Sequence, residues 1–185
     1  MYREYGELGE TGKLHISFPL LVDGLVRIGF QCFFNILFRQ VFLVGSGVIF
    51  LQTDNIGAAE RGEVPVGAVV VCKERIIARA HNLTETLNDV TAHAEMQAIT
   101  AAANVLGGKY LNECTLYVTV EPCVMCAGAI AWAQTSKLVF GAEDEKRGYQ
   151  KYAGSALHPK TVVVKGIMAD ECAALMKEFF AAKRK

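Results

Sequence analysis

Net charge is the first thing this chain lacks. Nineteen Lys/Arg balance nineteen Asp/Glu over 185 residues, so no global field draws it to a polyanion or an anionic surface. A long apolar run is missing as well. The longest uncharged stretch of its N-terminal part, Gln40 to Thr53, is too short to span a bilayer and is broken by Gly45 and Gly47. No secretory pattern opens the sequence, because Arg3 stands against Glu4, Glu7 and Glu10 and no small-residue cleavage site follows a compact apolar core. Nor do the six cysteines form a disulfide framework. Only Cys123 and Cys126 are spaced as a pair, while Cys32, Cys72, Cys114 and Cys172 are isolated and read as buried small hydrophobes or free thiols. There is no internal repeat and no low-complexity tract. These absences predict a cytoplasmic protein in a reducing compartment, with no membrane partner.

What remains is enough to build a core. The chain is 52% hydrophobic and 21% charged, which argues against disorder and fits one domain of ordinary size with an appendage. Composition changes near residue 56. Residues 11–53 hold seven of the ten Phe and only four formal charges, Lys13, Asp23, Arg27 and Arg39. The division is therefore an atypical Phe-rich segment, 1–56, to which no function is assigned, and a folded domain, 57–185. Charge is also uneven at the far end. From Ala142 to Lys185 nine Lys/Arg face six Asp/Glu, and the chain closes on Lys183-Arg184-Lys185.

Within the domain, Val64 to Cys72 is a β-branched run, Lys73-Glu74-Arg75 a tight turn, and Ile76 to His81 a returning strand. Leu83 to Val90 reads as a loop ending at Thr91, a candidate N-cap for an Ala-rich helix over Ala92–Leu106 that Gly107-Gly108 stop. Thr115–Val120 is a strand, and Pro122 suits the start of a second helix running to Ala133. Lys137–Gly141 is a strand, Ala142–Pro159 a long connection and Thr161–Lys165 a further strand. The last element, Ala169–Lys183, is a helix with Leu175, Phe179 and Phe180 on its apolar face. Hairpin, helix, strand, helix, strand, strand and a last helix predict an α/β fold, a three-layer α/β/α sandwich with five strands.

Two clusters carry chemistry. One is Thr91-Ala92-His93-Ala94-Glu95, the other Glu121-Pro122-Cys123-Val124-Met125-Cys126. One imidazole and two thiols suit a tetrahedral zinc with one position open, and Glu95 stands two residues from His93 to handle protons there. Each piece alone is ambiguous. A Cys-x-x-Cys pair also serves as a redox dithiol, as half of a structural zinc knuckle, or as two buried small residues. Combined, the pieces match the H-x-E…P-C-x-x-C signature of zinc deaminases. Both clusters fall where a strand hands over to a helix, so helix N-termini favour the Cys123 and Cys126 thiolates.

The stretches GEVPVGAVVV (62–71), TAHAEMQAI (91–99), LYVTVEPCVMCAGAI (116–130), LVFGAEDEKRG (138–148) and ADECAALMKEFFAAKRK (169–185) cover most of residues 58–185 in order. With them the sequence resembles the bacterial tRNA-specific adenosine deaminases of the cytidine deaminase superfamily. The resemblance implies a cytidine deaminase-like fold with a mixed five-stranded sheet and a homodimer acting on the anticodon stem-loop of a tRNA. It implies one Zn2+ per subunit on His93, Cys123 and Cys126. It implies Glu95 as the catalytic acid–base in hydrolytic conversion of wobble adenosine to inosine. Asn82 matches a purine-binding Asn of the family, though a turn Asn after a strand would look the same. Asp144, Lys146 and the Lys183-Arg184-Lys185 end match places where the family meets RNA, though solvated surface would look the same too. A loop base can be splayed out and flipped at less cost than a paired one.

The chain also departs from the family. An amphipathic helix usually precedes GEVPVG, whereas here only Ala58-Ala59-Glu60-Arg61 look like the end of one, and residues 1–56 are expected to be a replaced or misread N-terminus, the alternative being a real helix within Leu20–Phe50 that takes over the same packing. The segment between Gly148 and Thr161 is shorter than usual. Two rival readings stand beside the first: a small-molecule deaminase of guanine, cytosine or a nucleoside, and a non-catalytic zinc module that binds nucleic acid. Trp132, unusual for the tRNA enzymes, hints mildly at the small-molecule rival and reads otherwise as a core or interface residue. Glu95 argues against the non-catalytic module.

Overall fold

The computed structural model describes residues 58–184. The Phe-rich segment and its proposed origin lie outside them. The described chain opens on a helical stretch at 58–60 whose Ala58 is fully buried. It then turns through Gly62, at φ 79, into the first strand. Strand β1 (Gly67–Cys72) and strand β2 (Arg75–His81) form the expected hairpin. The connecting turn is tighter than expected: Lys73 and Glu74 alone make it, both at positive φ, and Arg75 already pairs with Cys72. Two successive left-handed residues match the strands' own twist.

Helix α1 (Ala94–Leu106) follows, then β3 (Cys114–Val120), α2 (Val124–Trp132), β4 (Lys137–Ala142), a short α3 (Tyr149–Ala153), β5 (Val162–Lys165) and α4 (Ala169–Lys183). The sheet order is β2-β1-β3-β4-β5. β1 runs antiparallel to β2 and β3, and β3, β4 and β5 are parallel. The five-stranded mixed sheet is as expected. The short α3 was not anticipated, and it breaks what reads as one long connection.

Alternation decides the layers. Ala68, Val70 and Cys72 of β1 lie level with Val118, Leu116 and Cys114 of β3, and with Leu138 and Phe140 they form a buried face. Ala94, Ala98 and Ala102 of α1 and Ala127 and Ile130 of α2 close over it. The alanine spacing i, i+4, i+8 lets α1 lie close on β1 and β2. Helix α4 packs on β4 and β3, where Gly141 allows contact: a Cβ there would stand 2.6 Å from Cys172 Sγ and from the Thr119 carbonyl oxygen. No residue of α4 is fully buried. Phe180, expected on its packed face, is 44% exposed and stacks edge-on against Phe179. Among the described residues no helix is long and apolar enough to cross a membrane.

Candidate active site

Helix starts place the chemistry. α1 begins one residue after His93, which is its N-cap in extended conformation, and α2 begins one residue after Cys123, its N-cap in the same conformation. Neither side chain makes a capping hydrogen bond. Thr91 is not the cap: its hydroxyl and its N–H both donate to Asp89 Oδ1, at 2.7 and 2.8 Å. Pro122 likewise stands outside its helix, and its carbonyl accepts from Tyr149 N–H at 2.9 Å. Losing a side-chain cap costs about 1 kcal/mol, and here both cap positions instead aim a ligand inward.

The ligand atoms converge. His93 Nδ1 lies 3.5 Å from Cys126 Sγ and 3.6 Å from Cys123 Sγ. Among the described residues this is the one cluster whose donor atoms fit a metal, all within 4.8 Å of one another. Zinc bonds of about 2.1 Å to nitrogen and about 2.3 Å to sulfur, at tetrahedral angles, put the two atoms about 3.6 Å apart. Both His93–sulfur spacings match that value. The protons are shared in a matching way. A hydrogen bond from Cys126, working against burial and helped by His93, brings the Cys123 thiol down to about 4. The same bond, with burial, pushes Cys126 up. The Cys123 contact holds His93 above its ordinary value. One thiolate is thus already favoured, and a dication displaces the remaining protons.

Glu95 is buried in the first turn of α1, 3% exposed. Its carboxyl meets the Cys126 thiol and its own backbone N–H, and burial, the largest influence, raises it above the usual carboxylate value. A carboxyl in reach of the donor triad, and inclined to keep a proton, is equipped for proton transfer rather than for charge display.

Asn82 follows directly on β2 and is 5% exposed. Its N–H bonds the Val66 carbonyl at 3.0 Å, and the next N–H, of Leu83, bonds the carbonyl of Ala92, the residue before His93. Asn82 therefore stands at the root of the loop that leads to His93. Asp144 has a structural task, since its Oδ1 accepts from the N–H groups of Lys146 and Arg147 at 2.9 and 3.0 Å and folds the turn after β4. Lys146 is exposed. Its carbonyl accepts from the Tyr152 hydroxyl at 2.8 Å. The turn is brought to the site by a bridge between Cys123 and Gly148.

Two site residues carry no role in the sequence reading. Glu121 is 7% exposed, and its carboxylate accepts from the N–H of Asp144 at 3.1 Å and of Gln150 at 2.9 Å. Glu63 is completely buried, and its carboxylate collects the loop that follows Asn82. Both belong to quoted motifs, GEVPVG and EPC, but backbone partners leave no trace in a sequence. Trp132, read as a core or interface residue, is 86% exposed, which excludes the core. It lies off the stripe of α2 that buries Cys126, Ala127 and Ile130.

The profile of the MafB19-like deaminase family matches residues 51–184. A tRNA-specific adenosine deaminase of Bacillus subtilis (strain 168) is 46% identical over 133 residues, spanning 69% of this chain and 83% of that protein. One of Agrobacterium fabrum is 44% identical over 132 residues, spanning 69% and 87%. A solved structure from work on A-to-I editing by tRNA:A34 deaminases at the wobble position of transfer RNA superposes with a TM-score of 0.62 at 37% identity, covering 78% of this chain and 99% of the other. The chain belongs to the MafB19-like deaminase family by its profile and to the tRNA-specific adenosine deaminases by its relatives.

Proposed function

We propose that this protein hydrolyses the exocyclic amine of the wobble adenosine in a tRNA anticodon, yielding inosine and ammonia. The observation that carries the reading is the buried Glu95 carboxyl beside a His93, Cys123 and Cys126 triad spaced for zinc. A structural metal site has no use for such a carboxyl. One zinc per subunit would be held by the three side chains, and when bound it supplies Lewis acidity and lowers the pKa of a water from about 15.7 to about 7. Glu95 accepts the proton of the attacking water and returns protons to the ring nitrogen and to the departing amine. Burial favours the protonated form that the first of these transfers creates. Asn82, beside the ligand loop, holds the purine. The Asp144 turn and Lys146 meet the anticodon stem-loop along a wall that Glu121 anchors.

The reading extends to a cytoplasmic homodimer. The exposed apolar side chains Trp132, Leu106 and Tyr110 are the ones this reading assigns to contact with a second subunit. The test is incubation of the zinc-loaded protein with an anticodon stem-loop bearing a wobble adenosine, scored for inosine, with Glu95→Ala as control and guanine and cytosine in parallel. Inosine that disappears in the variant is the expected result. Ammonia from a free base without inosine moves the protein to the small-molecule branch. Bound zinc with no turnover on any substrate leaves the non-catalytic module.

A further inference from the structure

We infer that Glu63 is a positioning residue for the substrate contact, acting through Asn82. Its carboxylate touches neither metal ligand nor solvent. Oε2 accepts from Asn82 Nδ2 at 3.0 Å, from the Thr84 hydroxyl at 3.3 Å and from Glu85 N–H at 3.2 Å, and Oε1 accepts from Thr86 N–H at 2.7 Å. Four donors on one buried carboxylate hold the whole 82–86 turn. Burial taken alone raises this acid, yet the bonds from Thr86, Glu85 and Thr84 outweigh it and leave it below its ordinary value, hence ionised.

An ionised carboxylate accepts only, so it settles which end of the Asn82 amide faces it. The NH2 group turns toward Glu63 and gives its second hydrogen to Thr84 Oγ1 at 2.8 Å. Oδ1 is the pole left for a ligand. Two backbone bonds, Asn82 N–H to Val66 and Leu83 N–H to Ala92, place the same residue next to the start of the metal-binding helix. Glu63 thereby fixes both the place and the polarity of the amide. A neutral side chain at 63 would fix neither so firmly, because each amide oxygen that accepts leaves an NH2 that cannot.

The inference rests on the reading of Asn82 as a base contact, and the experiment separates the two. Single-turnover deamination of the stem-loop is measured for Glu63→Ala, Asn82→Ala, the double variant and Glu63→Gln, with zinc content and melting temperature taken on each. Each alanine variant is expected to lower kcat/KM about ten- to hundredfold, the range of a hydrogen bond to a charged group. The double variant should fall no more than about threefold below the worse single one. Glu63→Gln should lose less than Glu63→Ala, since its one oxygen can still serve the Asn82, Thr84 and Glu85 donors. Losses that multiply in the double variant overturn the proposal and leave Glu63 a support of the fold alone. An Asn82→Ala variant that keeps full activity defeats the Asn82 reading, and the positioning role with it.

A second readout needs no substrate and so stands even if the activity is a different deamination. The Asn82 side-chain NH2 resonances, identified by their loss in Asn82→Ala, should shift and exchange faster with water in Glu63→Gln. Resonances that stay unmoved overturn the proposal whatever the protein deaminates.

Discussion

Replacing Gly148 with alanine measures what the Glu121 clamp contributes. The glycine is not there for backbone freedom, since its φ of −57 and ψ of 143 are open to any residue. It is there for space: a Cβ would stand 2.5 Å from each carboxylate oxygen of Glu121, well inside contact distance. Relief comes in one of two ways. Glu121 swings aside and releases the N–H groups of Asp144 and Gln150, or the 143–150 turn backs off and gives up the Tyr149 bond to Pro122 and the bridge to Cys123. Hydrogen bonds to a charged group are worth about 1.5–3 kcal/mol each, so two lost outright cost about 3–6. Asp144 is half-buried and Gln150 exposed, so water recovers part, and about 2–4 kcal/mol is the expected loss.

Urea denaturation followed by circular dichroism, at one fixed zinc concentration, reads this difference. The decisive comparison is with Glu121→Ala. That variant has already lost the clamp and has no carboxyl to collide with, so adding Gly148→Ala should cost under about 0.5 kcal/mol more. A neutral Gly148→Ala, or two losses that simply add, would falsify the clamp. Because Gly148 also bridges Cys123, the single variant should bind zinc more weakly, visible as a lower metal content after dialysis against a mild chelator.

Glu95→Ala should keep about one zinc per chain by elemental analysis while turnover falls about 10²–10⁴-fold, the usual share of a general acid–base; a metal-free variant would instead make Glu95 a support of the ligand set. Stripping the metal with a strong chelator should lower the melting temperature, and added zinc should restore it, whereas Cys126→Ala should show neither response. Glu63, held below its ordinary 4.5, contributes stability that is complete above that value and is lost as pH falls through the lower folded value. Urea midpoints between pH 7 and pH 3 should therefore drop less steeply for Glu63→Gln than for the parent, and parallel curves would contradict the assignment. Gly141→Ala should cost about 1–3 kcal/mol by forcing α4 off β4, since Thr119 and Ile167 carbonyls as well as Cys172 crowd the added methyl.

What could be read from the sequence, and what could not, divides by where the partner of each residue lies. The sheet was legible because β-branched runs pair with one another, and α1 because alanines at 94, 98 and 102 recur with the helix. The convergence of His93, Cys123 and Cys126 was legible because metal chemistry selects residue types, not surroundings. Thr91 and Pro122 were misplaced as helix starts by following propensity, which has no knowledge that His93 and Cys123 give up capping to face each other at 3.6 Å. Of the two readings of Trp132, core or interface, the core falls away because the buried stripe of α2 runs through Cys126, Ala127 and Ile130 and passes it by. Glu63 and Glu121 were silent for a deeper reason. Their partners are mostly backbone N–H groups, which every sequence has everywhere. Yet the two acids solve one problem twice. The site needs its ligand-bearing helix starts left open, so the turns beside them cannot be held by caps or by packing across the metal. A buried carboxylate behind each turn holds it instead, Glu63 next to the His93 side and Glu121 next to the Cys123 side. Both turns are thereby held by a buried carboxylate, and neither helix start has to serve as a cap.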